Sequence, residues 1–442
     1  MNLNTLQAFR HGLYECLQRG AAALFNIADA LLSQPQAQSL AQLSLSPFFQ
    51  RGWPSLYQAL QDGRIATEKL EELFATFVPT PAAGEPMLLG LDSSSIARPL
   101  SPTAADRTLV YVPNLPKDST PVTPGWQFSA VVALPQVASS WDYLLSHRRI
   151  ESLQTAGQVG AEQLRDLVPC LGFSGGERAI VVADRGYGNA PFLRESSEVA
   201  CDKLIRLAKN RVLYRPAPPR TGKRGAPCKD GPRFKCDAPE THGPPDRVWE
   251  GQDEKGHRIL IKAREPLHLK QARPIEGTVI RVTRFGAADS QRDPRESWFL
   301  WVGQAPAPLA HVWSLYKRRY SHEHGYRFQK QDLLWDQPRL RTPERFERWT
   351  LLVAAVQNQL VLARPVVAAV RLPWESRTRP VTPRQVRRAM VGILATLGTP
   401  APAPKARGKS PGWSKSRVRT PAPRFLVVKK PTLVPKKRRQ RA

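Results

Sequence analysis

Two short apolar runs constrain this chain more than anything else in it. Met87-Leu-Leu-Gly-Leu-Asp92 and Ala179-Ile-Val-Val-Ala-Asp184 are each rich in aliphatic side chains and closed by an aspartate. A short continuous apolar run bounded by turn residues marks a strand buried on both faces. A carboxylate at the end of such a strand is costly unless it is paired, hydrogen-bonded or bound to a metal. Open α/β sheets gather their sites outside strand ends, so neighbouring strands would set Asp92 and Asp184 side by side. Either aspartate alone would serve as well as a helix N-cap or turn residue. Two strands with the same ending call for a shared purpose.

A third acid lies far downstream, in Trp313-Ser-Leu-Tyr-Lys-Arg-Arg-Tyr-Ser-His-Glu-His-Gly-Tyr-Arg-Phe-Gln-Lys330. The pattern predicts one helix. Advancing about 100° per residue from Tyr316 puts Arg319, Glu323 and Lys330 on the same side, with Arg327 close to the stripe. A lone carboxylate among cations can hold a metal while its neighbours hold phosphates. The same stripe would suit a solvated helix face with i,i+4 ion pairs such as Arg319 with Glu323. His322 and His324 flank the glutamate and carry no assigned role. Asp92, Asp184 and Glu323 together form a plausible site for two divalent ions, roughly 3.5–4 Å apart, clamping the attacking and leaving oxygens of an in-line phosphoryl transfer. All-oxygen ligands favour Mg²⁺, with Mn²⁺ as substitute, over zinc.

The charge balance names the partner class. A net charge of +29 points to a polyanion, with nucleic acid first because lysine and arginine release counterions from phosphates. Beyond Glu375 the chain has no acid and nineteen lysines and arginines. The five scattered cysteines fit free thiols in a reducing cytoplasm. Cys228 and Cys236 lie near His242 and His257, yet without a CxxC pair they read as loop and core residues. No signal peptide and no apolar run of membrane-spanning length is expected.

In order, residues 1–80 read as helical, with Leu6, Phe9, Leu13 and Leu17 and then Leu24, Ile27 and Leu31 at helical spacing. They offer a small bundle or a domain for recognising DNA ends. Pro79 to Pro86 is a linker. Gln127–Leu134 predicts a strand, Ala161–Val168 a crossover helix, and 190–198 another helix. Cys201–Arg211 predicts a strand studded with Arg206, Lys209 and Arg211, which either hold DNA phosphates or form an ordinary basic surface. Arg215–Arg247 is a Pro- and Gly-rich loop, followed by β-like runs around 258–263, 277–285 and 298–302. Thr342-Pro343 and Thr382-Pro383 each predict a capped helix start, with ends near Ala363 and Leu397.

The spacing Tyr316-x₂-Arg319-x₃-Glu323-x₆-Lys330, following Leu-Asp92-Ser-Ser and Val-Val-Ala-Asp184-Arg, resembles bacterial insertion-sequence transposases of the Asp-Asp-Glu type with a Tyr-Arg-Glu-Lys signature. The resemblance covers roughly Met87 to Ala363 and does not extend to the N-terminal region or the basic tail. It implies an α/β, ribonuclease-H-like mixed sheet with flanking helices, interrupted by an inserted β-rich subdomain. The boundaries would be 1–80 for a helical N-terminal domain, 86–212 for the first part of the catalytic core and 213–304 for the insert. The rest of the core would be 305–364, then a helical segment 365–398 and a disordered basic tail 399–442. It implies a metal-dependent DNA transposase that cuts at transposon ends and joins the 3′-hydroxyl to target DNA. The metals would sit on Asp92, Asp184 and Glu323, and Tyr316, Arg319 and Lys330 would contact DNA. Some relatives stack a flipped base on a tryptophan in the last inserted strand. Trp298 is the matching position, with Trp301 and Trp313 as rivals, and a sheet-core role fits Trp298 equally. Double-stranded DNA, a homodimer on paired ends and a cytoplasmic, nucleoid-associated bacterial location are also implied. The alternatives are a ribonuclease-H-like nuclease without strand transfer and a non-catalytic DNA-binding protein derived from a transposase.

Overall fold

A computed structural model describes residues 2–112, 121–173, 176–219, 226–290, 294–368, 370–405, 412 and 420–430. The N-terminal region holds α1 (Leu3–Cys16), β1 (Leu17–Arg19), α2 (Ala21–Ser33), α3 (Leu40–Leu43), α4 (Trp53–Asp62), β2 (Arg64–Ile65) and α5 (Thr67–Thr76). Then come β3 (Leu88–Ala97), β4 (Thr108–Tyr111), β5 (Val122–Ala133), β6 (Tyr143–Ile150), α6 (Ala156–Leu167), β7 (Ala179–Ala183), α7 (Ala190–Glu195) and β8 (Cys201–Leu207). β9 (Val212–Tyr214), β10 (Arg233–Lys235), β11 (Arg247–Gln252), β12 (Arg258–His268), β13 (Glu276–Arg284) and β14 (Glu296–Val302) follow. The chain continues through α8 (Val312–Arg318), α9 (Tyr320–Gln331), α10 (Pro343–Ala363) and α11 (Pro383–Leu397).

The two Asp-bearing runs lie together at the centre of one mixed sheet. β3 pairs parallel to β7 and antiparallel to β5, β6 pairs antiparallel to β5, and β8 lies parallel to β7. The spatial order β6-β5-β3-β7-β8, with three antiparallel strands followed by two parallel ones, is the ribonuclease-H-like arrangement. The inserted strands do not stand apart: β14 pairs antiparallel with β8, β13 with β14 and β12 with β13, so one sheet runs from the core into the insert.

Both faces of the core sheet are covered, and β6 shows how. Alternate residues of a strand point to opposite faces. Ser146 and Arg148 bond Glu71 of α5, whereas His147 packs on Trp335 and Arg149 bonds Glu347 of α10. The N-terminal helices join the same structure. Arg10 of α1 and Asp29 of α2 form a buried ion pair at 2.7 Å, and Arg10 also reaches Gln359 of α10 and the carbonyl of Gly398. Arg387 of α11 donates to the carbonyls of Leu31 and Gln34, satisfying the open C-terminal end of α2.

Three expectations need correction. Cys201–Arg211 is not one strand, because β8 ends at Leu207 and Lys209 lies in the turn before β9. The expected single helix over 313–330 is two, hinged at Arg319, where Arg319 N–H bonds the Tyr316 carbonyl and His322 N–H bonds that of Arg319, each three residues back. The tail is not structureless throughout: Phe425 and Val428 donate to Pro102 and Arg107, and Val428 bridges Thr108 at the edge of the sheet. The docking runs through hydrogen bonds, with Arg107 donating in return to the Phe425 carbonyl at 3.1 Å while the Phe425 and Leu426 side chains stay exposed; 406–411, 413–419 and 431–442 lie outside the described residues. Among the described residues, no helix is long and apolar enough to cross a membrane.

Candidate active site

Parallel pairing sets the first two acids. Leu91 of β3 is in register with Ala183 of β7, so the next residues, Asp92 and Asp184, emerge from adjacent strands. Asp92 is not at the end of its strand as expected. β3 continues through Ser93–Ser95 to Ala97 because β5 keeps pairing with it, and only β7 stops. Asp184 instead turns the chain: its Oδ1 accepts from the Gly186 N–H at 2.8 Å. A Cβ at Gly186 would crowd that oxygen, so the turn favours glycine there.

The third acid arrives on α9, which lies along β3. Arg319 donates to Asp92 Oδ2 at 2.7 Å and also bonds Glu323. Tyr326 donates its hydroxyl to the Asp92 carbonyl at 3.0 Å, and Lys330 donates to the Ser95 carbonyl at 2.9 Å. Arg319, Glu323, Tyr326 and Lys330 therefore form the working stripe. Arg327, expected close to it, is exposed. Tyr326 was missed from sequence, although its spacing of three from Glu323 and four from Lys330 was a usable signal.

The electrostatics follow from burial. Desolvation above all raises the Asp92 carboxyl, Arg319 pulls it back and the charges of Asp184 and Glu323 add to the rise, leaving it at about 6. Asp92 is 15% exposed and Glu323 45%, so one carboxylate is sheltered and the other faces outward. Three carboxylates within each other's electrostatic reach, with a guanidinium lodged between two of them, make a place that demands positive charge. The oxygen-only donor set fits a hard divalent ion. The acids are not drawn tightly together: among the described residues, no three His, Cys, Asp or Glu side chains converge closely enough to hold a metal.

Behind α9 the helix is wedged. Gly325 faces Asp142, and a Cβ there would overlap both carboxylate oxygens. Asp142 is buried, which pushes its carboxyl well up, and it accepts from Gln357, whose carbonyl accepts from Gln329 of α9 at 2.9 Å. His322 points inward and stacks on Tyr326 at 4.6 Å, and burial holds its pKa well down. His324 points outward against Tyr320.

The remaining expected DNA contacts divide. Tyr316 is buried against Phe299, and the guanidinium groups of Arg206 and Arg319 lie over its ring at 5.8 and 5.6 Å, so Arg206 does reach the site region. Lys209 is exposed in the turn after β8, and Arg211 is half-buried. Trp298 is 1% exposed, donates to Glu296 and packs against Phe234 and His242; it offers no free face for a base. Trp301 and Trp313 are buried too.

Compared with known proteins, the chain has no match among the curated ones. Among solved structures it is similar to a cryo-EM structure of a piggyBac transposase synaptic complex with hairpin DNA. That similarity has 11% identity, a TM-score of 0.42, and coverage of 90% of this chain and 79% of the other. The sequence pattern described as DDE superfamily endonuclease matches residues 12–264, more than half of the chain, a span that includes Asp92 and Asp184. The chain belongs to the DDE superfamily endonucleases.

Proposed function

We propose that this endonuclease is an insertion-sequence transposase, which cuts DNA at the ends of its own element and joins the freed 3′-hydroxyl to target DNA. The observation that carries the reading is the meeting of Asp92 and Asp184, on adjacent parallel strands, with the Arg319–Glu323 pair of α9. The Tyr316-Arg319-Glu323-Lys330 spacing supports the insertion-sequence assignment. Asp92, Asp184 and Glu323 would hold Mg²⁺ or Mn²⁺, which when bound stabilises charge on the attacking and leaving oxygens of phosphoryl transfer. Around it, β3 and β7 fix the two aspartates, Tyr326 and Lys330 pin α9 to β3, and Arg319 orients Glu323. Arg206, Lys209 and Arg211 would take DNA phosphates on the insert side. Tyr316 would act through the two guanidiniums it supports, and Trp298 belongs to the insert's core rather than to a base-stacking site. Double-stranded DNA would be bound as paired ends by a homodimer.

The test is strand transfer. A labelled fragment carrying the element's end is incubated with a target plasmid and Mg²⁺ or Mn²⁺. Covalent joining of label to plasmid is the expected result. Cutting without joining would reduce the activity to a nuclease. Binding without either would leave a DNA-binding relic.

A further inference from the structure

A groove of about 420 Å³ lies away from the three acids, between α4 and the loop that joins α9 to α10. Tyr57 and Gln61 of α4 form one wall, and Gln337, Arg339, Arg341 and Arg345 the other. Among the described residues, no carboxylate lines it. None of the three arginines has an ion-pair partner there among the described residues, and Arg339 and Arg341 are exposed. Several arginines elsewhere face acids, among them Arg149, Arg247, Arg273, Arg281, Arg384 and Arg388. Gathering unpaired guanidiniums costs repulsion that an anionic ligand relieves.

The groove is also fixed to the catalytic strand. Arg98, one residue past β3, donates to the Asp336 carbonyl at 3.0 Å and the Pro338 carbonyl at 2.9 Å, holding the loop against the strand that carries Asp92. A ligand seated there would touch both the N-terminal helices and the connection between α9 and α10.

We infer that this groove is a second DNA contact, in which Arg339, Arg341 and Arg345 grip phosphates of a duplex whose cleavage site lies at the acids. The inference rests on the DNA reading given above. Guanidinium forks match phosphate oxygens in pairs. The amides of Gln61 and Gln337 and the hydroxyl of Tyr57 add neutral hydrogen-bonding groups of the kind that contact backbone and base edges. The absence of acids from the walls argues against a basic peptide.

The experiment measures duplex affinity against salt by fluorescence anisotropy, in the full chain carrying Glu323→Ala so that DNA is not consumed. Removing a cation that neutralises one phosphate flattens the slope of log affinity against log salt by about 0.9. Arg339→Ala/Arg341→Ala should flatten it by about 1.8, so its deficit should shrink about tenfold between 50 and 200 mM salt. The lysine pair Arg339→Lys/Arg341→Lys should keep most of the slope, and the exposed pair Arg194→Ala/Lys229→Ala should bind more nearly like the parent. Unchanged affinity and slope in the alanine pair would overturn the inference and leave the proposed function standing. Weaker binding with an unchanged slope would overturn it too, because it would mark altered packing. If the parent binds no duplex at all, the DNA reading falls and this inference with it.

Discussion

Replacing Arg319 by alanine removes the guanidinium that neutralises Asp92 and Glu323 in the metal-free protein. Breaking a fully buried ion pair by deleting one partner costs about 3–5 kcal/mol. Arg319 and Asp92 are 14% and 15% exposed, so water offsets part of that cost and about 2–3 kcal/mol is expected. With an unfolding entropy of about 2.1 cal/mol/K per residue, a chain of 442 residues has about 0.9 kcal/mol/K in all, so Tm should fall by about 2–3 °C. The assay is thermal unfolding in EDTA and again in several millimolar Mg²⁺. A divalent ion supplies the charge that the guanidinium supplied, so Mg²⁺ should raise the Tm of Arg319→Ala by more than that of wild type. Arg319→Ala combined with Asp92→Asn should cost less than the two changes summed, since no unpaired charge remains. An unchanged Tm in EDTA, or equal Mg²⁺ shifts in the two proteins, would refute the idea that Arg319 stands where a cation is required.

Further outcomes follow from the same geometry. Asp92 is raised to about 6 by burial, so its contribution to metal-free stability is fully present below the unfolded value near 3.9 and is lost as pH rises through 6. With the proposed metal on Asp92, protons would compete for the same carboxylate, so Mn²⁺ affinity, read by electron paramagnetic resonance, should fall about tenfold per pH unit below 6. A flat profile from pH 5 to 7.5 would contradict that. Gly325→Ala drives a methyl into Asp142 and should cost about 1–3 kcal/mol while displacing α9; adding Asp142→Ala should recover part of the Tm. Trp298→Ala, at a position 1% exposed, should cost about 3–5 kcal/mol and leave the DNA affinity of the folded protein unchanged. Lower DNA affinity in Trp298→Phe at unchanged stability would instead make that indole a DNA contact.

The placement of Asp92 and Asp184 on adjacent strands was legible because an aliphatic run followed by a charge has few explanations. The starts of α10 and α11 were legible because Thr342-Pro343 and Thr382-Pro383 carry their own cap chemistry. β6 was not. Its Ser146-His147-Arg148-Arg149 reads as solvated, and it packs inside because Glu71, Asp106, Asp166 and Glu347, from distant places in the chain, bond those arginines, Glu71 also accepting from the serine. The hinge at Arg319 left no mark, since neither glycine nor proline announces it and the helical period runs straight through. The course of β3 beyond Asp92 was hidden for a similar reason: Ser93–Ser95 lack strand character, and β5 supplies it by pairing. Trp298 had two readings that no local pattern separates. Phe234 and His242, contributed from the long Pro- and Gly-rich stretch, decide where its ring lies.

Cleavage of a DNA fragment bearing the element's own end, in Mg²⁺ or Mn²⁺, compared between wild type and Glu323→Ala, bears most directly on the three-acid site. Glu323 is 45% exposed on α9, so its loss should leave the protein folded and its duplex binding intact. Wild type should cut at the end and the variant should not. Equal cutting by both would contradict the assignment of Asp92, Asp184 and Glu323 as the catalytic acids.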